Sequence, residues 1–349
     1  MSKLIALVGG FLGSGKTTLL LAAAARLRKS GLRVALITND QAGALVDTRL
    51  AAASGNTAEE IAGGCFCCRF ADFVGAADRL LAYDPDVIFA EPVGSCIDLS
   101  ATVLQPLKRY YGQRYRLAPF TVLVDPQRAR ELSSPDANPH LAYLFANQIA
   151  EADLVCFSKS DLHSEFPELP GGFALRLSAT TGDGLDEWLA EVLAGSRTAG
   201  SRVLEVDYAR YADAEAALGW LNWQADIRLE EPLSPAALAG PFLDDVSERL
   251  SGAGVEIAHL KLFDQTESGY IKASICRNGE EPSVVGDLTA SPAARHDLVL
   301  NLRAAAAPEL LREILQEAAR GLPGNVSVRS FETFRPSPPK PEYRMTQVE

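Results

Sequence analysis

A continuous apolar run from Leu4 to Val8 leads into Gly10-Phe11-Leu12-Gly13-Ser14-Gly15-Lys16-Thr17, and a helix pattern follows from Thr17 to Lys29. No other feature restricts the fold as strongly. The G-x-x-x-x-G-K-[ST] spacing needs a strand before it and a helix after it. Its glycines let the backbone curl until several N–H groups face phosphate oxygens, and the helix adds its positive N-terminal end. Gly10, Gly13, Ser14, Gly15, Lys16, Thr17 and Thr18 are therefore the expected phosphate-binding residues. Lys16 should bridge the outer phosphates, and the Thr17 hydroxyl should ligate Mg²⁺.

Further apolar runs recur at Arg33–Thr38, Asp86–Ala90, Phe120–Val124 and Leu154–Phe157, with a weaker one at Phe173–Leu177. Helical segments separate them, among them Ala71–Leu81 and Leu141–Ala150, and Leu185–Leu193 closes the block. Strands alternating with helices predict an α/β fold over residues 1–195, a doubly wound and mostly parallel sheet. The small, polar stretch 196–202 reads as a linker. Residues 203–334 read as a smaller α+β domain. Its expected strands are Val203–Tyr208, Ile257–Phe263, Tyr270–Cys276 and Asp297–Leu302, and its expected helices lie near Pro235–Leu250 and Pro308–Arg320. Gly269 and Asn278-Gly279 suggest turns between antiparallel strands. The proline-rich residues 335–349 read as a mobile tail.

A chain of 349 residues is long enough for these two cores, and 47% hydrophobic residues describe a globular protein. Net charge is −12, from 33 Lys+Arg against 45 Asp+Glu. That balance argues against nucleic acid and acidic membrane surfaces as partners, since both need clustered basic residues. The N-terminal apolar run stops at Gly9, short of a signal peptide, and no apolar stretch is long enough to span a bilayer. The expected location is cytoplasmic, where thiols stay reduced.

Two short elements point to the base of the nucleotide. Ser158-Lys159-Ser160-Asp161 follows a predicted strand at the place of an N-K-x-D sequence. There Asp161 would accept hydrogen bonds from the guanine ring N–H and exocyclic amine, and the Lys159 stem would cover the ring. Ser178-Ala179-Thr180-Thr181-Gly182 follows the last strand, where Ser178 and Ala179 would support the base through their backbone. Glu91-Pro92-Val93-Gly94 also sits at a strand end. Glu91 is the expected catalytic carboxylate beside Lys16 and Thr17, holding Mg²⁺ through water or orienting the attacking water, while Gly94 responds to the γ-phosphate. Asn39-Asp40 occupies the other position where a switch segment would begin, and Asp40 could reach a metal ion there.

Gly63-Gly64-Cys65-Phe66-Cys67-Cys68 holds three of the six cysteines. If the glycines let the backbone fold, the thiols of Cys65, Cys67 and Cys68 can converge on one soft ion such as Zn²⁺ or Cu(I). Three sulfurs leave a fourth position open to Asp40, Glu60, water or a partner's side chain, which suits transfer better than permanent fixation. Cys96, Cys156 and Cys276 stand apart in apolar contexts and are expected to be buried small hydrophobes.

This combination resembles the CobW-like family of P-loop GTPases, the metallochaperones. Gly9 to Leu20 matches the family's opening sequence, Gly64-Cys65-Phe66-Cys67-Cys68 matches its G-C-x-C-C metal motif, and Glu91–Gly94 matches its E-x-x-G element. The resemblance covers residues 1 to about 195. It implies GTP and GDP as ligands, hydrolysis with Mg²⁺, and binding or delivery of Zn²⁺ or Co²⁺ to a client metalloprotein or metal-cofactor enzyme. A homodimer stays open as the oligomeric form. Three departures stand out. The family's N-E-F-G-E sequence is here Asn39-Asp40-Gln41-Ala42-Gly43, the guanine motif begins with Ser158, and the C-terminal half lacks a histidine-rich segment. Two other readings stay open: a P-loop small-molecule kinase with structural cysteines, and a non-catalytic metal sensor.

Overall fold

Strand β1 (Lys3–Gly10) is buried over nearly its whole length, as its unbroken apolar run predicts, and ends in the glycine loop that opens α1 (Lys16–Lys29). The computed structural model describes residues 2–39, 46–53, 55–170 and 174–349. Next come β2 (Val34–Asn39), α2 (Val46–Ala53), β3 (Thr57–Ile61), α3 (Phe70–Leu80), β4 (Val87–Glu91) and α4 (Gln105–Tyr111). They are followed by β5 (Tyr115–Leu117), β6 (Thr121–Val124), α5 (Pro126–Leu132), α6 (Pro139–Glu151), β7 (Leu154–Phe157), β8 (Leu175–Arg176) and α7 (Leu185–Ala194). The remaining elements are α8 (Tyr208–Ala216), β9 (Gly219–Leu233), α9 (Pro235–Gly252), β10 (Ile257–Thr266), β11 (Gly269–Ile275), β12 (Ser283–Gly286), β13 (Ala293–Ala304), α10 (Pro308–Arg320) and β14 (Asn325–Phe334).

The first sheet runs β3-β2-β4-β1-β6-β7-β8, with β5 beside the start of β1, and every neighbouring pair is parallel. Parallel pairing puts all C-terminal strand ends on one edge, so the loops leaving β1, β2, β4, β6 and β7 share it. Behind that edge, α1 and α7 cover the sheet with Leu19, Ala23, Leu27, Trp188 and Val192. Trp188 stacks on Phe89 and donates its indole N–H to the Thr121 hydroxyl at 3.1 Å, so this bulky residue leaves no buried donor unpaired. Strands β3 and β5 escape the sequence reading. β3 is an edge strand carrying Glu59 and Glu60, so it lacks the apolar run of a strand buried on both faces.

The chain divides into two compact units. The first comprises Met1–Gly43, Ala51–Ala214 and Pro338–Glu349, and the second comprises Ala44–Leu50 and Glu215–Ser337. The second unit carries an antiparallel sheet in the order β12-β11-β10-β13-β9-β14, with α9 and α10 supplying Leu238, Phe242, Val246, Leu311 and Leu315 to its core. The hairpins at Gly269 and around Asn278-Gly279 form as expected. The long β9 was not expected, although Leu221, Trp223, Ala225, Ile227 and Leu229 alternate with polar residues at the period of a half-buried strand. Among the described residues, no helix is long and apolar enough to cross a membrane.

Three expectations need correction. Residues 203–207 form no strand. Asp207 instead accepts hydrogen bonds from the Ala209 and Arg210 N–H groups and starts α8. The stretch 196–202 is not the boundary, because Asp153 accepts from Gly200 N–H at 2.6 Å and Ser201 N–H at 2.7 Å, while Gln105 donates to the Gly200 carbonyl. The division falls between Ala214 and Glu215. Finally, the tail is not loose. Met345 N–H donates to the Ala101 carbonyl, Tyr343 packs edge-on against Phe70, and Arg344 Nε donates to Asp98 at 2.8 Å. Proline content excludes helix and sheet but does not prevent a chain from docking by side chains and isolated N–H groups.

Asp98 is 1% exposed and accepts from Arg344 and from the Tyr208 hydroxyl at 2.7 Å. Arg344→Ala should therefore lower stability by about 1–3 kcal/mol, the cost of leaving a buried polar group underpaired. Urea unfolding checks this, and an unchanged midpoint would show that the tail contributes nothing to the first unit.

Candidate nucleotide and metal site

Close packing shapes the glycine loop. A Cβ on Gly10 (φ 133°) would stand 2.4 Å from the Leu123 carbonyl oxygen and 2.7 Å from Ser14 Oγ, so only glycine lets the loop lie against β6. Gly13 and Gly15 also have positive φ, and Gly15 precedes α1 without capping it by a side chain. No acidic residue of α1 itself stands in its first turn, as an anion site at that helix end requires. Lys16, 6% exposed, donates to the Gly10 and Phe11 carbonyls at 2.9 and 3.3 Å. Thr17 donates its hydroxyl to both oxygens of Glu91, at 2.8 and 3.1 Å. These hard oxygens suit Mg²⁺. Gly94 lies so close that a Cβ there would be 3.1 Å from Lys16 Nζ and 2.9 Å from Leu12 Cδ2.

The base-side motifs also meet. Ser160 N–H donates to the Leu177 carbonyl at 3.1 Å and thereby joins the 158–161 turn to the 178–182 turn. Ser178 Oγ accepts from Thr180 and Thr181 N–H, which curls the latter segment around Ala179. Lys159, with φ 54°, pairs with Asp125 at 2.7 Å, while Asp161 is exposed. Two buried hydroxyls, Ser14 Oγ and Ser158 Oγ, have no hydrogen-bond partner among the described residues. One lies in the phosphate loop and the other at the start of the base motif, so both fit a polar ligand along this edge.

Gly63 (φ 80°) and Gly64 (φ 155°) turn the chain out of β3 into the cysteine loop. Cys68 and Arg69 N–H both donate to the Cys65 carbonyl at 3.0 Å, closing a turn that brings the thiols together. The sulfur separations are 2.8 Å for Cys65–Cys67, 3.3 Å for Cys65–Cys68 and 3.7 Å for Cys67–Cys68. Phe66 is fully buried against Phe73 and anchors the loop from within. Among the described residues, these three thiols form the group able to hold a metal ion, and Glu60 is not part of it. Asp40, with Gln41 to Gly43, lies outside the described residues. Hydrogen bonds from Cys67, Cys68 and Cys96 hold the Cys65 thiol well below its ordinary range against the effect of burial. The same sulfur, with burial, pushes Cys67 up, and it pushes Cys68 up to about 12.

Three contacts of this site went unread in the sequence, although Asn39-Asp40 reads as the start of a switch segment. Asn39, at the end of β2, donates to the Ile61 and Gly64 carbonyls at 3.0 and 2.8 Å and accepts from Phe66 N–H at 3.0 Å. A polar residue ending an apolar strand was its one available signal. The tail contributes Lys340 N–H, which donates to Cys68 Sγ at 3.2 Å, and Glu342 N–H, which donates to the Cys67 carbonyl at 2.9 Å. Cys96 is the third. It is buried as expected but not isolated, because its thiol hydrogen-bonds Cys65.

Residues 4–170 match the family model described as the CobW/HypB/UreG nucleotide-binding domain. The chain is similar to the zinc chaperone YeiR of Escherichia coli (strain K12), with 33% identity over 164 residues, or 44% of this chain and 46% of that protein. The match thus spans about half the length of that relative. Among solved structures, Zn(II)-bound YjiA GTPase from E. coli is similar at 15% identity and a TM-score of 0.36, over 92% of this chain and 99% of that one. HypB from Helicobacter pylori in complex with nickel is similar at 18% identity and a TM-score of 0.42, over 56% of this chain and 89% of that one.

Asn39→Ala removes two hydrogen bonds to the cysteine loop and one to the end of β3, and should lower stability by about 1–3 kcal/mol. It should also speed modification of the buried Cys65 and Cys67 by an aromatic disulfide reagent. Unchanged thiol kinetics would show that Phe66 alone fixes the loop.

Proposed function

We propose that this chain, whose residues 4–170 form a CobW/HypB/UreG nucleotide-binding domain, hydrolyses GTP and uses nucleotide state to hold or release zinc for a client metalloprotein. One observation carries the reading. Asn39, first residue of the expected switch sequence, is hydrogen-bonded to the cysteine loop, so a shift of that segment acts on the thiols directly. Zinc is favoured over cobalt by the similarity to a zinc chaperone, and thiolates suit both ions.

In this reading Gly10, Gly13, Ser14, Gly15 and Thr18 contribute the phosphate cradle. Lys16 leaves the Gly10 and Phe11 carbonyls to meet the charge that develops between the β- and γ-phosphates. Thr17 would hold Mg²⁺ through its hydroxyl oxygen, and the ion would supply charge neutralisation. Glu91 orients the attacking water. Asp161 selects guanine through its ring N–H and amine, Lys159 covers the base, and Ser158, Ser178 and Ala179 line it. Cys65, Cys67 and Cys68 are the zinc ligands, and each gives up its proton on binding. The half-buried Cys68 is the side from which a client's ligands reach the ion.

Turnover of GTP and ATP, measured while Zn²⁺ or Co²⁺ is titrated in, tests this reading. GTP should be preferred, and Zn²⁺ affinity should differ between GTP- and GDP-loaded protein. Lys16→Ala should cut turnover by about 100-fold or more while zinc binding persists. Replacing the three cysteines by serine should abolish tight zinc binding and spare nucleotide binding. A preference for ATP, or equal zinc affinity in both nucleotide states, would sink the proposal.

A further inference from the structure

The segment that crosses the cysteine loop is Pro338-Pro339-Lys340-Pro341, and three of its four residues are prolines. Proline fixes φ at about −65° and disfavours helix in the residue before it, so this stretch is extended before it docks. Proline also lacks a backbone N–H, which leaves Lys340 as the one donor in the four residues. That donor goes to Cys68 Sγ at 3.2 Å. Glu342 N–H, the next donor along the chain, goes to the Cys67 carbonyl at 2.9 Å. Every backbone donor from 338 to 342 is thus spent on the loop that carries the thiols.

Side chains hold the same line. The Glu342 carboxylate accepts from Ala71 N–H at 3.1 Å, at the start of α3, where Arg69 supplies no side-chain cap. Tyr343 packs against Phe70 and Tyr110, with ring centroids 5.2 and 5.5 Å apart. Arg344 and Met345 then anchor the segment on Asp98 and the Ala101 carbonyl. Ahead of these anchors the covering is thin. Pro339 is buried, but Lys340, Glu342 and Tyr343 are exposed, and Cys68 beneath them is half-buried. A segment that buries so little of itself can lift without unfolding what lies under it.

We propose that residues 338–343 are a displaceable strap over the thiol cluster, closing the Cys68 side until a partner pushes it away. This rests on the reading of Cys65, Cys67 and Cys68 as a metal site. With the strap seated, Lys340 N–H is an outer-shell donor to a ligand sulfur, and the extended chain lies against that sulfur's exposed side. With the strap lifted, the sulfur loses the hydrogen bond and its exposed side opens. A client metalloprotein takes the ion by displacing the strap with an extended segment of its own. A small chelator has to wait for the strap to lift unaided.

Two variants of the full chain separate the parts of the strap. Tyr343→Ala removes both ring contacts and keeps the Lys340 N–H, whereas Lys340→Pro keeps the extended backbone and removes the donor. The zinc-loaded proteins are mixed with the chromogenic chelator 4-(2-pyridylazo)resorcinol, and zinc removal is timed. Tyr343→Ala should speed removal roughly tenfold, as loss of two ring contacts implies. Lys340→Pro should lower Zn²⁺ affinity roughly 10–100-fold, the effect of losing an outer-shell partner. A readout without metal is the alkylation of each cysteine by iodoacetamide, resolved by peptide mass spectrometry. Tyr343→Ala should speed it at Cys68 and leave it unchanged at Cys156, which is 0% exposed in the sheet core. Equal rises at both cysteines would mark general unfolding and overturn the strap as a local device. Unchanged zinc removal from Tyr343→Ala would overturn the proposal and leave the three-cysteine reading intact. Unchanged affinity in Lys340→Pro would overturn the outer-shell role of its N–H. A wild-type chain that takes up no zinc would overturn the metal reading and the strap with it.

Discussion

A single amide holds the candidate metal site to the nucleotide-binding sheet. Asn39 donates to the Ile61 carbonyl at the end of β3 and to the Gly64 carbonyl, and accepts from Phe66 N–H, at 2.8 to 3.0 Å, while remaining 8% exposed. A buried amide satisfied on all three atoms has one low-energy orientation, so the loop inherits the position of the β2 end. The clamp acts together with Phe66 and with the Cys68 and Arg69 N–H bonds to the Cys65 carbonyl to restrain the turn that Gly63 and Gly64 open. The parallel sheet sets the location of the clamp, because pairing of β2 with β4 places Asn39 one residue beyond the Thr38–Glu91 register pair.

From there the site is enclosed in layers. Phe66 plugs the inside of the loop against Phe73. The end of the chain closes the other side through Lys340 and Glu342. The same tail reaches the buried Asp98 carboxylate, two residues after Cys96, through Arg344. Burial raises the Asp98 carboxyl although Tyr208 and Arg344 favour its charged form, so this junction is held by partners it cannot lose without cost. Residues 46–50, directly after the expected switch, belong to the second unit, where Val46 N–H donates to Asn301 and Arg49 pairs with Asp297.

The parallel sheet was legible because buried strands such as Leu4–Val8 and Val122–Val124 are apolar on both faces, and that pattern is local. The phosphate loop was legible for the same reason, since its glycine spacing encodes a backbone path. The edge strand β3 was not, because half of it faces solvent and its carboxylates break the run. The tail was misread because proline content reports which regular structures are forbidden, not whether a segment finds partners elsewhere. Cys96 is buried as expected; its neighbourhood with Cys65 went unread because the two are distant in sequence.

What the sequence determined by itself is the phosphate loop, the alternation of strands and helices, the three-thiol motif and the short base-side turns. Each is a local spacing that dictates a backbone conformation or a set of donor atoms. Only the tertiary structure decided that Asn39 clamps the thiols, that Cys96 neighbours Cys65, and that the chain's last residues cover them. Those contacts join segments separated by tens to hundreds of residues, and sequence spacing carries no distance across such gaps. Packing of the sheet edge supplies it.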